Sequence, residues 1–271
     1  MRLRGKVMRK YINLLKYEFK TILKDATNLF LILYPFILLI LIGLIIPLAF
    51  KKAGNIPAFG IILVLVISLS VGGFVSGALL GFSLIENIDE KTILSIAVSP
   101  IRVEGYTFFK ISYTYILAII SNLIIVGGLK LINNDVYIVQ INNQTIHLLD
   151  NFSWLHIIVF SFVNGLLVPS VALLIASLAK NKVEGFAFMK SGGLFSLLPS
   201  LTLLNFFSDE KQYILGIFPN FWSTKAMINV AIHSKASSNL NYFIYMLIGS
   251  LYLIALLIIT LKLFLKKVNQ N

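Results

Sequence analysis

Three acidic residues with helical spacing are the side chains best placed to do specific chemistry. Glu86, Asp89 and Glu90 recur at i, i+3 and i+4, so a helix would bring their carboxylates to one edge. An apolar patch at residues 93–98 follows and ends at Pro100. An acidic edge beside an apolar patch favours the docking of another protein. A solvated connector with a charged cap is the alternative that the spacing alone leaves open.

Catalytic and metal-binding residues lack the spacing that such chemistry needs. The chain has no cysteine, which excludes disulfides, thiolate ligands and cysteine nucleophiles. The histidines, His147, His156 and His233, show no metal-ligand spacing. The sequence also lacks a glycine-rich phosphate loop ending in Lys and Ser or Thr. We therefore predict that the chain is not an enzyme and that it binds no metal or cofactor.

The composition indicates which elements must position these residues. Hydrophobic residues make up 58% of the chain, charged residues only 13%, and the mean hydropathy is +0.90. A helix needs about 20 apolar residues to cross a membrane, and it satisfies its own backbone groups there. The sequence predicts an all-α integral membrane protein with six transmembrane helices, near residues 29–50, 58–85, 108–131, 155–179, 186–207 and 242–265.

Basic residues are distributed unequally between the two sets of loops. The terminal segments and the loops after the second and fourth runs, with their adjoining helix ends, hold 17 of the 23 Lys and Arg residues. The positive-inside rule then makes both termini and these loops cytoplasmic in the cell membrane. The net charge of +12 follows from this topology and requires no nucleic-acid partner.

The chain reads as a single transmembrane domain, residues 1–271, that begins with an amphipathic segment. Residues 8–27 place apolar side chains on one helical face and basic side chains on the other, which predicts an interfacial helix on the cytoplasmic surface. A basic flank that only fixes the topology is the alternative.

The connections between the runs differ in character. Residues 86–107 and 180–186 are predicted cytoplasmic loops, and residues 132–154 and 208–241 are predicted external loops. The first external loop alternates around Asn142 and Asn143, which indicates a short β-hairpin. The second is less polar than a simple connector, and we expect short helices there that dip back toward the membrane as a re-entrant element.

Small and polar residues inside the runs indicate helix packing. Gly73, Gly77 and Gly81 are four residues apart, so one face of the second helix lets another helix approach closely. The spacing does not decide between packing within the chain and a seam between two copies. Asn122 and Asn164 are predicted to form interhelical hydrogen bonds, with contact to a transported substrate as the alternative.

Acidic residues are missing from the interior of every predicted span. Ion-coupled transporters keep ionisable groups at that depth, and intramembrane proteases need convergent catalytic groups, so both classes are disfavoured. If the chain moves a solute against a gradient, the energy must therefore enter from another polypeptide at the cytoplasmic surface.

The order of these motifs resembles that of the ABC-2 type permeases, the six-span membrane subunits of ABC exporters. The segment IENIDEKTILSIAVSPI, followed by Lys110, is similar to the family's first cytoplasmic segment. KNKVEGFAFMK, which begins at Lys180, resembles the second cytoplasmic loop. FPNFW, with Pro219 and Trp222, is similar to the Pro-x-x-Trp element of the last external loop.

The resemblance implies a partner ATPase and a second permease chain, identical or related. The partner would be a cytosolic nucleotide-binding subunit that holds ATP and Mg²⁺. Contact with this partner is implied for the main coupling residues and for two secondary ones: Glu86, Asp89, Glu90, Lys91, Thr92 and Pro100, with Lys182 and Glu184. Pro219 and Trp222 would belong to an external gate that controls release.

The uncharged spans favour an amphipathic or hydrophobic substrate such as a drug, a peptide antibiotic or a lipid. Two alternatives stay open. The fold could serve as a binding or immunity module that captures a membrane-active peptide with little transport. A carrier that needs no partner is the second alternative, and the lack of charge within the spans disfavours it.

Overall fold

The computed structural model describes residues 26–54, 58–89, 103–141, 144–207, 209–233 and 237–270. Most of the predicted interfacial helix, residues 8–25, lies outside this part of the chain, and residues 26 and 27 belong to the first described helix. Four predicted coupling residues also lie outside it: Glu90, Lys91, Thr92 and Pro100.

The described residues form seven main helices, numbered α1 to α7. Helix α1 comprises Ala26–Ile40, a π-helical turn at Leu41–Ile45, and Ile46–Ala53, and α2 is Ala58–Asp89. Helix α3 comprises Val103–Asn122, a second π-helical turn at Leu123–Gly127, and Gly128–Ile132; α4 comprises Trp154–Gly165 and Leu167–Leu178. Helix α5 is Lys182–Ser196, α6 is Phe221–Ala231 and α7 is Tyr242–Gln270.

Five stretches of helix are long and apolar enough to cross a membrane. They are Leu33–Ala53, Glu104–Ile132, Trp154–Leu178, Lys182–Leu203 and Tyr242–Asn269. The second predicted run lies within the 32-residue helix α2, of which Ala58–Gly72 counts as a shorter apolar helix. The mostly helical fold agrees with the predicted class, and the count of six spans stays a prediction.

Helix boundaries overlap the predicted cytoplasmic loops. Residues 86–89 extend α2, residues 103–107 begin α3, and α5 already begins at Lys182. The segments 86–107 and 180–186 are therefore partly helical.

A β-hairpin marks one end of the bundle. Strand β1, Ile138–Ile141, pairs antiparallel with β2, Gln144–His147, and Ile141 lies opposite Gln144. These strands flank the predicted turn at residues 142 and 143, which lies outside the described residues. The bundle thus has a β-hairpin end and an opposite end.

Glycines of α2 bring its backbone against α4. A Cβ atom added at Gly77 would lie 2.7 Å from the carbonyl oxygen of Val168, and one at Gly81 would lie 3.1 Å from that of Ala172. Val168 and Ala172 are themselves four residues apart, so the two helices run side by side in register. For Gly77 and Gly81 the close approach is thus within the chain. Gly73 lies in the same helix.

The π-helical turn of α1 is held by a tyrosine beside the β-hairpin. A π turn disturbs the usual backbone pairing and exposes a carbonyl group to another donor. The hydroxyl of buried Tyr137 donates to the carbonyl of Ile42 at 2.8 Å. Gly43 in the same turn allows Ile132 of α3 to approach, since a Cβ atom there would lie 2.7 Å from its side chain.

Tyr137→Phe is expected to lower the stability of the bundle by about 1–2 kcal/mol, because the Ile42 carbonyl loses its donor in an apolar setting. The thermal midpoint of the purified protein in detergent measures this change. An unaltered midpoint would mean that the hydroxyl contributes nothing to the π-helical turn.

The fourth candidate span, Lys182–Leu203, changes its geometry before it ends. Helix α5 stops at Ser196, and a 3-10 helix, Leu198–Leu203, continues past Pro199. Hydroxyl groups satisfy carbonyls in this region: Ser196 donates to Gly193, Ser200 to Leu197 and Thr202 to Pro199, each at 2.7 Å. These bonds serve backbone groups that a membrane would leave without water.

Candidate functional site

Two predicted coupling residues meet at the opposite end of the bundle. The ammonium of Lys182 donates to the Glu86 carboxylate at 2.6 Å, and both side chains are about half exposed. Glu86 lies in the last turn of α2, and Lys182 is the first residue of α5. The pair therefore joins the two segments that the sequence assigned separately to the cytoplasmic surface.

Glu184 has a local role in the same corner. Its carboxylate accepts a hydrogen bond from the Lys180 backbone N–H at 2.8 Å, and the Asn181 side chain caps the Glu184 N–H at 2.9 Å. An acidic residue in the first turn also complements the helix dipole. Asp89 is the last residue of α2.

Two further lysines fix this end, and the sequence did not single out their contacts. Lys267 of α7 donates to the carbonyls of Ala176 and Ala179, which end α4. Buried Lys110 donates to Ser83 at 3.2 Å and lies 5.6 Å from the centre of the Tyr106 ring. The dipole of a helix stabilises a cation at its C-terminus. This rule could have predicted the Lys267 contact, but it does not apply to the contacts of Lys110.

A helical hairpin, residues 210–231, lies among the long helices. Its first arm is the 3-10 helix Glu210–Ile217 and its second arm is α6. Tyr213 donates to the Ser238 carbonyl at 2.6 Å, just before α7 begins, whereas the Ile217 carbonyl accepts from Tyr252 at 2.7 Å. Tyr252 is ten residues into α7, about 15 Å along its axis, so the first arm runs inward.

The second arm of the helical hairpin returns to the β-hairpin end. Ser223, near its start, donates to Asn164 at 3.1 Å, and the Ala231 carbonyl at its end accepts from Asn151 at 2.7 Å. Asn164 is ten residues into α4, again about 15 Å along the helix. The tip of the helical hairpin thus sits halfway along the bundle.

The predicted gate residues lie at this tip. Pro219 is half-buried in the turn between the two arms. The indole of Trp222 donates to the Gly216 carbonyl at 3.0 Å. Trp222 fits between two glycines, because a Cβ atom would lie 2.7 Å from its ring at Gly216 and 3.0 Å from its Cβ at Gly249 of α7.

Buried polar side chains connect the tip to the long helices. Asn164 donates to the Asn122 oxygen at 3.4 Å and accepts from Ser223, so one amide joins α3, α4 and the helical hairpin. Asn220 donates to the Ser196 carbonyl at the end of α5, at 2.6 Å. The predicted interhelical role fits Asn122 and Asn164. Their partner Ser223 was not singled out, because it lies in a segment whose hydropathy predicts an external loop.

Asn164→Leu is expected to lower the stability by roughly 1–3 kcal/mol, since it removes two interhelical hydrogen bonds, each worth up to about 1.7 kcal/mol in membrane bundles. Ser161→Ala is the matched control, because among the described residues the Ser161 hydroxyl bonds only within its own helix, to the Ile157 carbonyl. Thermal midpoints in detergent compare the two. Equal midpoints would contradict a bridging role for Asn164.

The five membrane-length helices define a multi-pass membrane protein, and its described residues contain no group of His, Cys, Asp and Glu that could hold a metal ion. A family model described as "Fluoroquinolones export permease protein Rv2686c-like" matches residues 18–261. The chain therefore belongs to the Rv2686c-like family of export permeases. Comparisons with curated proteins and with solved structures gave no significant match.

Proposed function

We propose that the chain is an ABC-2 type permease, the membrane subunit of an ATP-driven exporter. It works with a separate cytosolic ABC ATPase, which holds ATP and Mg²⁺, and with a second permease chain, identical or related. The family match to an export permease is the observation that carries this proposal. Acidic residues of the described spans, Glu104 and Glu184, lie only at the span ends, which supports an energy source outside the chain.

The proposed topology places the opposite end of the bundle in the cytoplasm. The chain crosses the cell membrane six times, with both termini on the cytoplasmic side, and the helical hairpin is a re-entrant element that enters from outside. Glu86, Asp89, Lys182 and Glu184 then face the ATPase. Lysine-rich ends on that side agree with the positive-inside rule.

A continuous set of contacts supports a coupling route from that surface to the gate. The ion pair of Glu86 and Lys182 connects α2 to the start of α5. At the other end of α5, the Ser196 carbonyl binds Asn220 at the tip of the helical hairpin. When the ATPase closes on ATP, a displacement of α5 reaches Pro219 and Trp222 through these bonds.

The proposed substrate is an amphipathic drug, and the name of the family points to fluoroquinolones as the first compounds to test. These molecules combine a planar aromatic system with charged groups. A peptide antibiotic or a lipid also satisfies the broader class that uncharged spans favour.

Recovery of the tagged chain from its native membranes tests the proposal. We expect an ABC ATPase to co-purify, and we expect proteoliposomes with both subunits to accumulate a fluoroquinolone only when ATP is hydrolysed. An ATPase variant that binds but does not hydrolyse ATP is the control. A chain that comes without an ATPase and still protects cells would instead favour the binding-module alternative.

A further inference from the structure

Lys225 is a buried cation without a counter-charge in the part of the chain that the structure describes. It lies on α6, the second arm of the helical hairpin, and only 6% of it is exposed. Within the described residues it forms no hydrogen bond or ion pair, in contrast to Lys110 and Lys267, which donate to acceptors of neighbouring helices. Burial of an unpaired ammonium is costly.

Burial makes the charged form of Lys225 less favourable than that of an exposed lysine. Burial lowers its pKa from 10.5 to about 8, because the low-dielectric surroundings penalise the charged form. A buried, unpaired ionisable group in a protein that handles small molecules is a candidate for ligand binding.

Lys225 shares one face of α6 with two residues that suit a ligand. Trp222, Lys225 and Asn229 are spaced i, i+3 and i+7, so they line one stripe of the helix. The Asn229 amide lies near the Tyr245 hydroxyl of α7. Neither its nitrogen nor its oxygen has a hydrogen-bond partner of good geometry among the described residues.

An aromatic cluster adjoins the same face. Trp222 and Tyr213 stack with ring centres 6.1 Å apart and an interplanar angle of 23°. Tyr245 lies 6.2 Å from Trp222 and 6.4 Å from Tyr213. Aromatic walls beside a cation and an unpaired amide provide stacking, charge and hydrogen bonding in one place.

We infer that Lys225 binds the carboxylate of a planar aromatic acid, and that the face between the helical hairpin and α7 is the permease's substrate site. Asn229 binds a second polar group of the same ligand, and the half-buried rings of Tyr213 and Trp222, backed by buried Tyr245, contact its aromatic system. This inference rests on the proposed export function, which makes the bound ligand a transported substrate. It adds the place of the substrate site and the residue that recognises the substrate's carboxylate.

Binding is measured on the purified full chain with a fluoroquinolone and its carboxylate methyl ester as probes. In a Trp154→Phe background, Trp222 is the only tryptophan, so quenching of its emission reports on this face; free tryptophan corrects for absorption by the probe. We expect Lys225→Met to weaken binding of the acid tenfold or more and to leave binding of the ester within twofold. Lys225→Arg retains the preference for the acid.

The matched control is Lys211→Met, which removes an exposed lysine from the other arm of the same helical hairpin and leaves binding of the acid unchanged. Equal affinity of Lys225→Met and wild type for the acid overturns the inference, as does an equal loss for acid and ester. A higher thermal midpoint of Lys225→Met shows that weaker binding is not a result of unfolding.

Transport separates this inference from the proposed function. If wild type and Lys225→Met both export the acid equally well with ATP, the substrate site is wrong and the proposed function stands. If the acid binds through Lys225 but no ATP-dependent export occurs with any recovered ATPase, the proposed function fails and the binding site stands.

Discussion

Gly77→Ala is expected to be among the most damaging single-methyl changes in the described bundle. The new Cβ atom would meet the backbone of α4, at 2.7 Å from the carbonyl oxygen and 3.2 Å from the Cα atom of Val168. Backbone atoms cannot rotate away as a side chain does, so α2 and α4 must separate along their shared register. We expect a loss near the upper end of overpacking costs, about 3 kcal/mol.

A glycine that faces a side chain provides the control for Gly77→Ala. At Gly127 an added Cβ atom would lie 3.3 Å from the ring of half-exposed Trp154, which can shift. We expect Gly127→Ala to change the stability by less than about 1 kcal/mol, because a helical alanine also gains propensity over glycine. Thermal midpoints and monodispersity in detergent measure both variants; equal behaviour would show that the approach of α2 to α4 is not tight.

Reversal of the charge on Glu86 is expected to reduce export tenfold or more. Glu86→Lys places two ammonium groups where the structure has an ion pair of 2.6 Å, so α2 and the start of α5 repel each other. Because both side chains are half exposed, the folding stability should fall by no more than about 1 kcal/mol. The expected defect is therefore in coupling, measured as ATP-dependent export at equal amounts of folded protein.

The charge swap Glu86→Lys with Lys182→Glu is the matched test. It restores an ion pair between the same helices with its polarity reversed, and we expect export to recover to at least half of the wild-type rate. Recovery of co-purified ATPase should follow export. A swap variant that folds but neither exports nor retains the ATPase would mean that the partner contacts the Glu86 carboxylate itself.

The sequence predicted which helix faces take part in packing better than it predicted which helices they pack against. The spacing of Gly77 and Gly81 indicated a close approach, but nothing in it identified Val168 and Ala172, because a stripe without side chains accepts any helix. The β-hairpin and the interhelical role of Asn122 and Asn164 could be predicted because each follows from a local feature. Alternating residues indicate a strand pair, and an amide inside an apolar run needs a hydrogen-bond partner on another helix.

The candidate sites were less accessible because they join distant segments. Glu86 and Lys182 are 96 residues apart, and no local pattern connects them. Lys225 counted only as one more basic residue of an external loop, because a lysine lowers the hydropathy of the short helix that buries it. The spacing of Trp222, Lys225 and Asn229 was the available signal, and it acquires meaning only when α7 covers that face.

The 3-10 extension of α5 lengthens the segment that joins this helix to the helical hairpin. Six residues, Leu198–Leu203, rise about 2.0 Å each in a 3-10 helix and about 1.5 Å each in an α-helix. An α-helix of the same six residues would therefore be about 3 Å shorter. Because this segment follows α5, which begins at Lys182, and precedes the helical hairpin, its winding contributes to the axial distance between the two.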